Sequence, residues 1–418
     1  MGAHDPNDRP VAAVLREAES DLHAAIRYKT TLERLLSGGT PEHRERAALA
    51  LARVSTEYPE EVHGALGTAV DAIADDRRTV RGNASALVAM VAKTYPDDVA
   101  RHSDSLVEAL SDSHSTVVKN AVEALAYTTR SAPQGALDGR DRLAALLASN
   151  DSEVRRHAAI VVYNVADAYP TRVDRSVDRL ATRLSTDTDE ITRIAAAGAL
   201  SAVAREDPES VAPFVDDLEA ILRTETDSRV QGNVIAILAE LAARDPEAVA
   251  PFTETLTRFL SSSEHTTLVN ATDALACLAR SDPALIREAG AVPSLRDLWD
   301  RTDSREVREN VSAIVEAVSD QSSTAERDRR AAGPADLPGA MVEEALRIAG
   351  ESTRQVILDI ETFINGRSEQ NDTTVEVMDS AVGELDVRGR EETRRGSSGS
   401  RGREDTRRDS SDSRRRDR

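Results

Sequence analysis

A chain of 418 residues would fill two or three ordinary domains, but only 3% of it is aromatic. The core must then be built from Ala, Val, Leu and Ile, which excludes a β-sandwich in favour of closely packed helices. A formal net charge of -21, with lysine only at positions 29, 93 and 119, excludes a general affinity for nucleic acid or anionic membrane. Cys277 is the single cysteine, so no intrachain disulfide framework can form.

The first residues, Met1 to Pro10, are polar and lack the apolar core of a secretion signal. No run of about 18 apolar residues occurs anywhere, so the expectation is a cytoplasmic protein without a membrane span. Residues 1–40 form an N-terminal capping region ahead of a repeat array that fills 41–319. Within the array, His43, Val80, Val117, Val154, Ile191, Val230, Thr267 and Val307 stand at equivalent places, separated by 37, 37, 37, 37, 39, 37 and 40 residues. A second register is proline, at 59, 96, 133, 170, 208, 246 and 283. Proline has no N–H and a fixed φ, so it suits the first turn of a helix, and each one marks a hairpin. Asp207, Asp245 and Asp282 precede three of them and are placed to cap the helix that follows.

Each unit therefore predicts two helices. Helix A shows helical spacing in Val211, Phe214, Val215, Leu218, Ile221 and Leu222; helix B shows it in Val230, Val234, Ile237, Leu238 and Leu241. The turn between them, Thr224-Glu-Thr-Asp-Ser228, supplies capping side chains. The motif Asp-x-x-Val-Arg-x-x-Ala at Asp151 to Ala158, echoed at Asp76 to Ala84 and Asp303 to Val311, resembles the second helix of a HEAT repeat. Ile286 to Leu295 followed by Glu306-Val-Arg-Glu-Asn310 resembles an armadillo repeat. The resemblance covers roughly residues 10–320. It implies an all-α, right-handed α-solenoid of about eight helical hairpins, with B helices lining a concave face and A helices forming the back. The acidic, arginine-over-lysine composition also resembles that of proteins from salt-in halophiles, where salt screens the self-repulsion.

Three positions beyond the Val register runs a polar ladder: Arg46, Asn83, Asn120, His157, Ile194, Asn233, Asn270 and Asn310. Asparagine is a poor interior helix residue, so another role selects it. The row reads either as amides lining a partner groove or as buried amides that bond the neighbouring repeat and hold the register. Armadillo proteins that bind extended peptides carry an Asn seven residues further on. Here those places hold Arg53, Met90, Tyr127, Asn164, Ser201, Glu240, Cys277 and Ala317, and only Asn164 matches. That departure favours a helix or folded domain as partner over an extended peptide. The candidate partner-binding groove is Asn83, Met90, Asn120, Tyr127, His157, Asn164, Asn233, Glu240, Asn270 and Asn310.

No phosphate-binding glycine loop, nucleophile elbow or paired-carboxylate motif occurs, His157 has no second ligand at metal spacing, and Cys277 lies in an Ala/Leu pattern that reads as a structural thiol. The expectation is a non-enzymatic scaffold or adaptor for a protein partner, without metal or cofactor. The alternatives are a nucleic-acid-associated protein acting through its Arg-rich tail and, more distantly, a HEAT-like protein of the bilin-lyase kind. After the repeats, residues 320–339 read as a linker, and 340–366 as an amphipathic helix for capping, self-association or partner binding. Residues 367–418 read as a disordered, low-complexity Arg/Ser/Asp tail.

Overall fold

The computed structural model describes residues 10–327, all of them helix, turn or loop. Helices Val11–Ser20, Leu22–Arg27 and Lys29–Gly38 pack onto the first B helix, and Arg46 and Arg53 of that helix bond the side chain and backbone carbonyl of Glu19. The B helices are Pro41–Glu57, Arg78–Thr94, Ser115–Thr128, Ser152–Ala168, Glu190–Glu206, Ser228–Arg244, His265–Ser281 and Arg305–Arg327, here repeats 1 to 8. Each packs beside the next. Alanine at many of the contact places lets the backbones approach closely, and Leu51, Leu87, Leu125, Ile194 and Ile237 fill the interior.

The A elements are more broken than their periodicity predicts. Proline opens each, and a short helix or 3-10 turn then leads into the longer segment, as in Pro208–Ser210, Ala212–Phe214 and Val215–Thr224. Asp245 and Asp282 do cap, accepting from the N–H groups of Ala248 at 3.2 Å and Ala284 at 2.9 Å; Asp207 instead accepts from the Ser210 hydroxyl. In repeat 8, Gly290 joins Pro283–Glu288 to Ala291–Arg301 at φ 65°, a left-handed conformation that a β-carbon would strain.

The N-caps correct the register of repeat 5. Asp151, Asp189 and Asp227 cap repeats 4, 5 and 6, so the spacing is 38 and 38, and Thr192, not Ile191, matches Val154 and Val230. Thr192 is fully buried while Ile191 is not; an apolar residue one place early had captured the alignment. Ala195 and Ala202 thus replace Ile194 and Ser201 in the two ladders. The last B helix also runs to Arg327, so the first residues of the expected linker are helical. The expected helix 340–366 and tail 367–418 lie outside the described residues.

One contact recurs along the stack. Four residues after the N-cap, an arginine reaches across to a carboxylate two residues before the N-cap of the next repeat. Arg44 meets Asp75 at 2.6 and 3.3 Å, Arg81 meets Asp112 at 2.6 and 3.0 Å, Arg155 meets Asp187 at 2.5 and 3.1 Å, and Arg193 meets Glu225 at 2.8 and 3.4 Å. The same guanidinium donates to carbonyls of its own turn: Gly39, Asp75 and Asp76, Ser149 and Asn150, or Asp187 and Thr188. The carboxylate also accepts from the N-cap N–H of Arg77, His114, Asp189 or Asp227. Two turns are thereby joined by one side chain in bidentate geometry. Where Val118 replaces the arginine, Ser149 replaces the acid, and its hydroxyl takes over the N-cap bond from Asp151 at 3.2 Å.

The arginine bond to Asp112 holds that carboxyl below the usual range against the opposing effect of burial. For Asp187 burial is the larger influence and raises the pKa, but the bonds from Arg155 and the Asp189 N–H together outweigh it. A carboxylate with a depressed folded pKa contributes stability that is full above its unfolded pKa, near 4, and is lost as pH falls through the folded value. Urea-unfolding midpoints should fall steeply below about pH 4. Asp187→Asn, which leaves Arg155 half-buried and unpaired, should cost about 2–3 kcal/mol at pH 7 and flatten that acid limb.

Candidate functional site

The B helices of repeats 2 to 7 each touch the preceding B helix, the following one and an A segment behind, which leaves one side without a packed helix among the described residues. Position nine after the N-cap lies at its centre, at Leu49, Ala86, Glu123, Ile160, Gly198, Ala236, Asp273 and Ala313. The candidate groove residues, six and thirteen places after the N-cap, lie to one side of this line, toward the preceding repeat.

The six-place row holds repeats together. Asn120, buried, donates its amide to the Gly82 carbonyl at 3.3 Å and to Ser85 Oγ at 3.0 Å in the repeat before it. Asn270, also buried, donates to the Gly232 carbonyl at 3.2 Å, and Asn310 donates to Thr272 Oγ1 at 3.2 Å and to Asp273 Oδ1. Asn233 is buried against repeat 5, where Ala195 offers no polar side chain, and its Nδ2 has no partner among the described residues. These amides have the geometry of a register device, with Asn83 and Asn310 half-buried and the other three buried.

The thirteen-place row is more open. Met90, Tyr127, Asn164, Glu240 and Cys277 are each half-buried. Asn164 donates to Thr129 Oγ1 of the previous repeat at 3.0 Å, so it too braces its neighbour. The phenol of Tyr127 is pushed up by burial and by Glu123. Burial also raises Glu240 and the Cys277 thiol, and Arg280 lies 3.1 Å from that sulfur. His157 is half-buried, and its Nδ1 is enclosed and without a partner among the described residues. Burial, with Arg156 and Lys119 nearby, drives it down to about 3, so the ring is neutral at physiological pH.

Two residues missing from the predicted groove are carboxyls enclosed on this face. Glu123 is 5% exposed, and its Oε2 has no partner among the described residues; burial pushes it up to about 7, against the pull of Lys119 and Lys93. Burial also lifts Asp273 to about 7, helped by Glu306 and opposed by the Asn310 bond. Both stand at position nine, where most repeats carry Leu, Ile, Ala or Gly, and a charge in that apolar row was the available sign. Among the described residues, no group of three or more His, Cys, Asp and Glu is placed to hold a metal, and no helix is long and apolar enough to cross a membrane.

A carboxyl whose folded pKa is raised keeps its proton while the unfolded chain has lost one, so stability falls as pH rises from about 4 to about 7. This slope is opposite to that of the arginine-bound acids. Glu123→Gln, which removes one titration, should raise the urea midpoint at pH 8 relative to the parent chain. It should also reduce the loss between pH 5 and 8, on the order of 1–3 kcal/mol.

Comparison with known proteins bears on the fold. A family model described as the adaptin N terminal region matches residues 140–303, less than half of the chain. No curated protein matches. A crystal structure of an engineered protein is 25% identical, covering 82% of this chain and 94% of its own, with a TM-score of 0.61. A chain from a structure concerned with a conserved phosphorylation switch that controls the interaction between cadherin and beta-catenin is 15% identical. It covers 76% of this chain and 67% of its own with a TM-score of 0.65, a likeness of fold alone. Together with the repeat spacing and the stacked helix pairs, these likenesses show a HEAT/armadillo-type helical-repeat fold.

Proposed function

We propose that the protein is a non-enzymatic scaffold that binds a protein partner along the free face of its B helices. The observation that carries this reading is the contrast between the two sides of the stack. The A segments carry acids in their first turns, including Glu60, Glu61, Asp97, Asp98, Asp216 and Asp217, whereas the B face presents Leu49, Met90, Tyr127, Ala86 and Ala313. A side of low charge on a chain of net charge -21 is the part of the surface able to exclude water with another protein. The beta-catenin neighbour, from a study of its interaction with cadherin, supports the same kind of use.

The partner best suited to this face is a helix or folded domain that seats an apolar side on Met90 and Tyr127. The ladder asparagines, bonded mainly to neighbouring repeats, leave few amides for an extended peptide backbone. Met90→Arg combined with Tyr127→Arg should abolish retention of a protein captured by the full chain from a high-salt lysate. Asp178→Arg on an A helix should leave retention intact, and circular dichroism should show the same helix content in all three chains. Equal retention by the doubly substituted and parent chains would overturn the assignment of this face.

A further inference from the structure

Two devices tie one repeat to the next near the start of the B helices: the arginine clamp and the ladder amide. The clamp joins repeats 1 to 2, 2 to 3, 4 to 5 and 5 to 6. It is missing between repeats 6 and 7, where Gln231 and Ser262 take its two places, and between repeats 7 and 8, where Leu268 and Thr302 do. At both of those boundaries an amide crosses instead: Asn270 donates to the Gly232 carbonyl at 3.2 Å and Asn310 to Thr272 Oγ1 at 3.2 Å. Between repeats 3 and 4 both devices are missing. Val118 and Ser149 fill the clamp places, and His157 fills the ladder place without a hydrogen bond to repeat 3 among the described residues. The start of these two helices is joined by the Lys119 ammonium, which meets Glu153. That is a point charge on a flexible stem, where the clamp is a planar fork held by carbonyls on its own side.

The other end of the same boundary is held. Asn164 donates to Thr129 Oγ1 at 3.0 Å near the C-terminal ends of the two B helices. In the A layer, Pro133–Gly139 of repeat 4 lies against Ser103–Ala109 of repeat 3 with no room for side chains at its glycines. A β-carbon at Gly135 would fall 2.8 Å from Ser103 Cβ, and one at Gly139 3.3 Å from the side chains of Val107 and Leu110. Apolar packing keeps the two B helices in contact without fixing the angle between them, so a boundary gripped at one end and loosely tied at the other can tilt. We propose that the boundary between repeats 3 and 4 is the hinge of the stack. Repeats 1 to 3 and repeats 4 to 6, each a clamped block, tilt against each other there. The motion opens the turns 111–115 and 148–152 and pivots on the glycine contact in the A layer. Its consequence is a change in the curvature of the row of B helices at one place, while the blocks on either side keep their shape.

The test measures distance distributions between pairs of spin labels on the full chain with Cys277→Ser. The labels sit one place before the N-caps, at exposed residues. The pairs Asp76→Cys with Asn150→Cys and Ser113→Cys with Thr188→Cys each span two helix spacings, about 20 Å, and share only the boundary between repeats 3 and 4. The pair Asn150→Cys with Thr226→Cys spans the same number of spacings across two clamped boundaries. The hinge predicts distributions at least about twice as wide for the first two pairs as for the third. It also predicts that Val118→Arg with Ser149→Asp, which installs the clamp, narrows both to the width of the third at unchanged helix content. Equal widths for the three pairs in the parent chain would overturn the proposal without recourse to the clamp variant. Broadening in only one of the first two pairs would overturn it as well, by assigning the motion to a single turn, and so would breadth that persists once the clamp is installed in a folded chain. No partner enters the measurement, so the scaffold reading stands or falls on its own capture experiment.

Discussion

The stack depends on the arginine four residues into the B helices of repeats 1, 2, 4 and 5. A helical-hairpin repeat cannot bury its apolar face alone, and its neighbours supply that burial without fixing how far one helix slides on the next. Sliding by one residue would turn the apolar face away, but Ala-rich surfaces offer few large knobs to resist it. The guanidinium supplies the missing direction. It is tethered by carbonyls in its own turn and grips a carboxylate in the next, which in turn orders the first N–H of the following helix. Helix capping, turn geometry and repeat register thus share one side chain. The chain treats them as one unit: at Val118 and Ser149 both partners change and neither charge is left unpaired.

Much of this was legible before any coordinates. The spacing of the Val register and of the prolines follows from the requirement that every unit repeat the same packing, and Asp151-x-x-Val154-Arg155 contains the N-cap, the buried anchor and the clamp arginine in one motif. The acceptor two places before each cap lies about 31 residues after its arginine, a separation that helical periodicity in one window does not register. Repeat 5 was misaligned for a local reason: Ile191 satisfies an apolar pattern that Thr192 fills in the fold, and only the cap at Asp189 separates the two.

The candidate site was less legible because the same residue type can face a neighbour or a ligand. Asparagine recurring at one place signals a recurring environment, but sequence does not say whether the acceptor is a carbonyl one repeat away or a partner. Gly82 and Gly232 show how the fold resolves it. Each places its carbonyl against the next repeat's asparagine with no side chain of its own beside it. Glu123 and Asp273 escaped notice because carboxylates are common in so acidic a chain, and their environment depends on what encloses position nine across neighbouring repeats.

The two populations of acids differ in environment. Those in the turns are ionised, paired with arginine and bound to backbone N–H groups, and they stabilise the stack where it must not move. Those on the B face are enclosed, and burial raises their pKa values toward neutrality. A buried carboxyl without a matched cation is a cost that a stack selected for stability alone would shed by substitution with alanine, as at Ala86 and Ala236 in the same row. That cost falls away from the turns, on the row nine places into the B helices, while the ionised acids of the turns and the arginine clamps hold one repeat to the next.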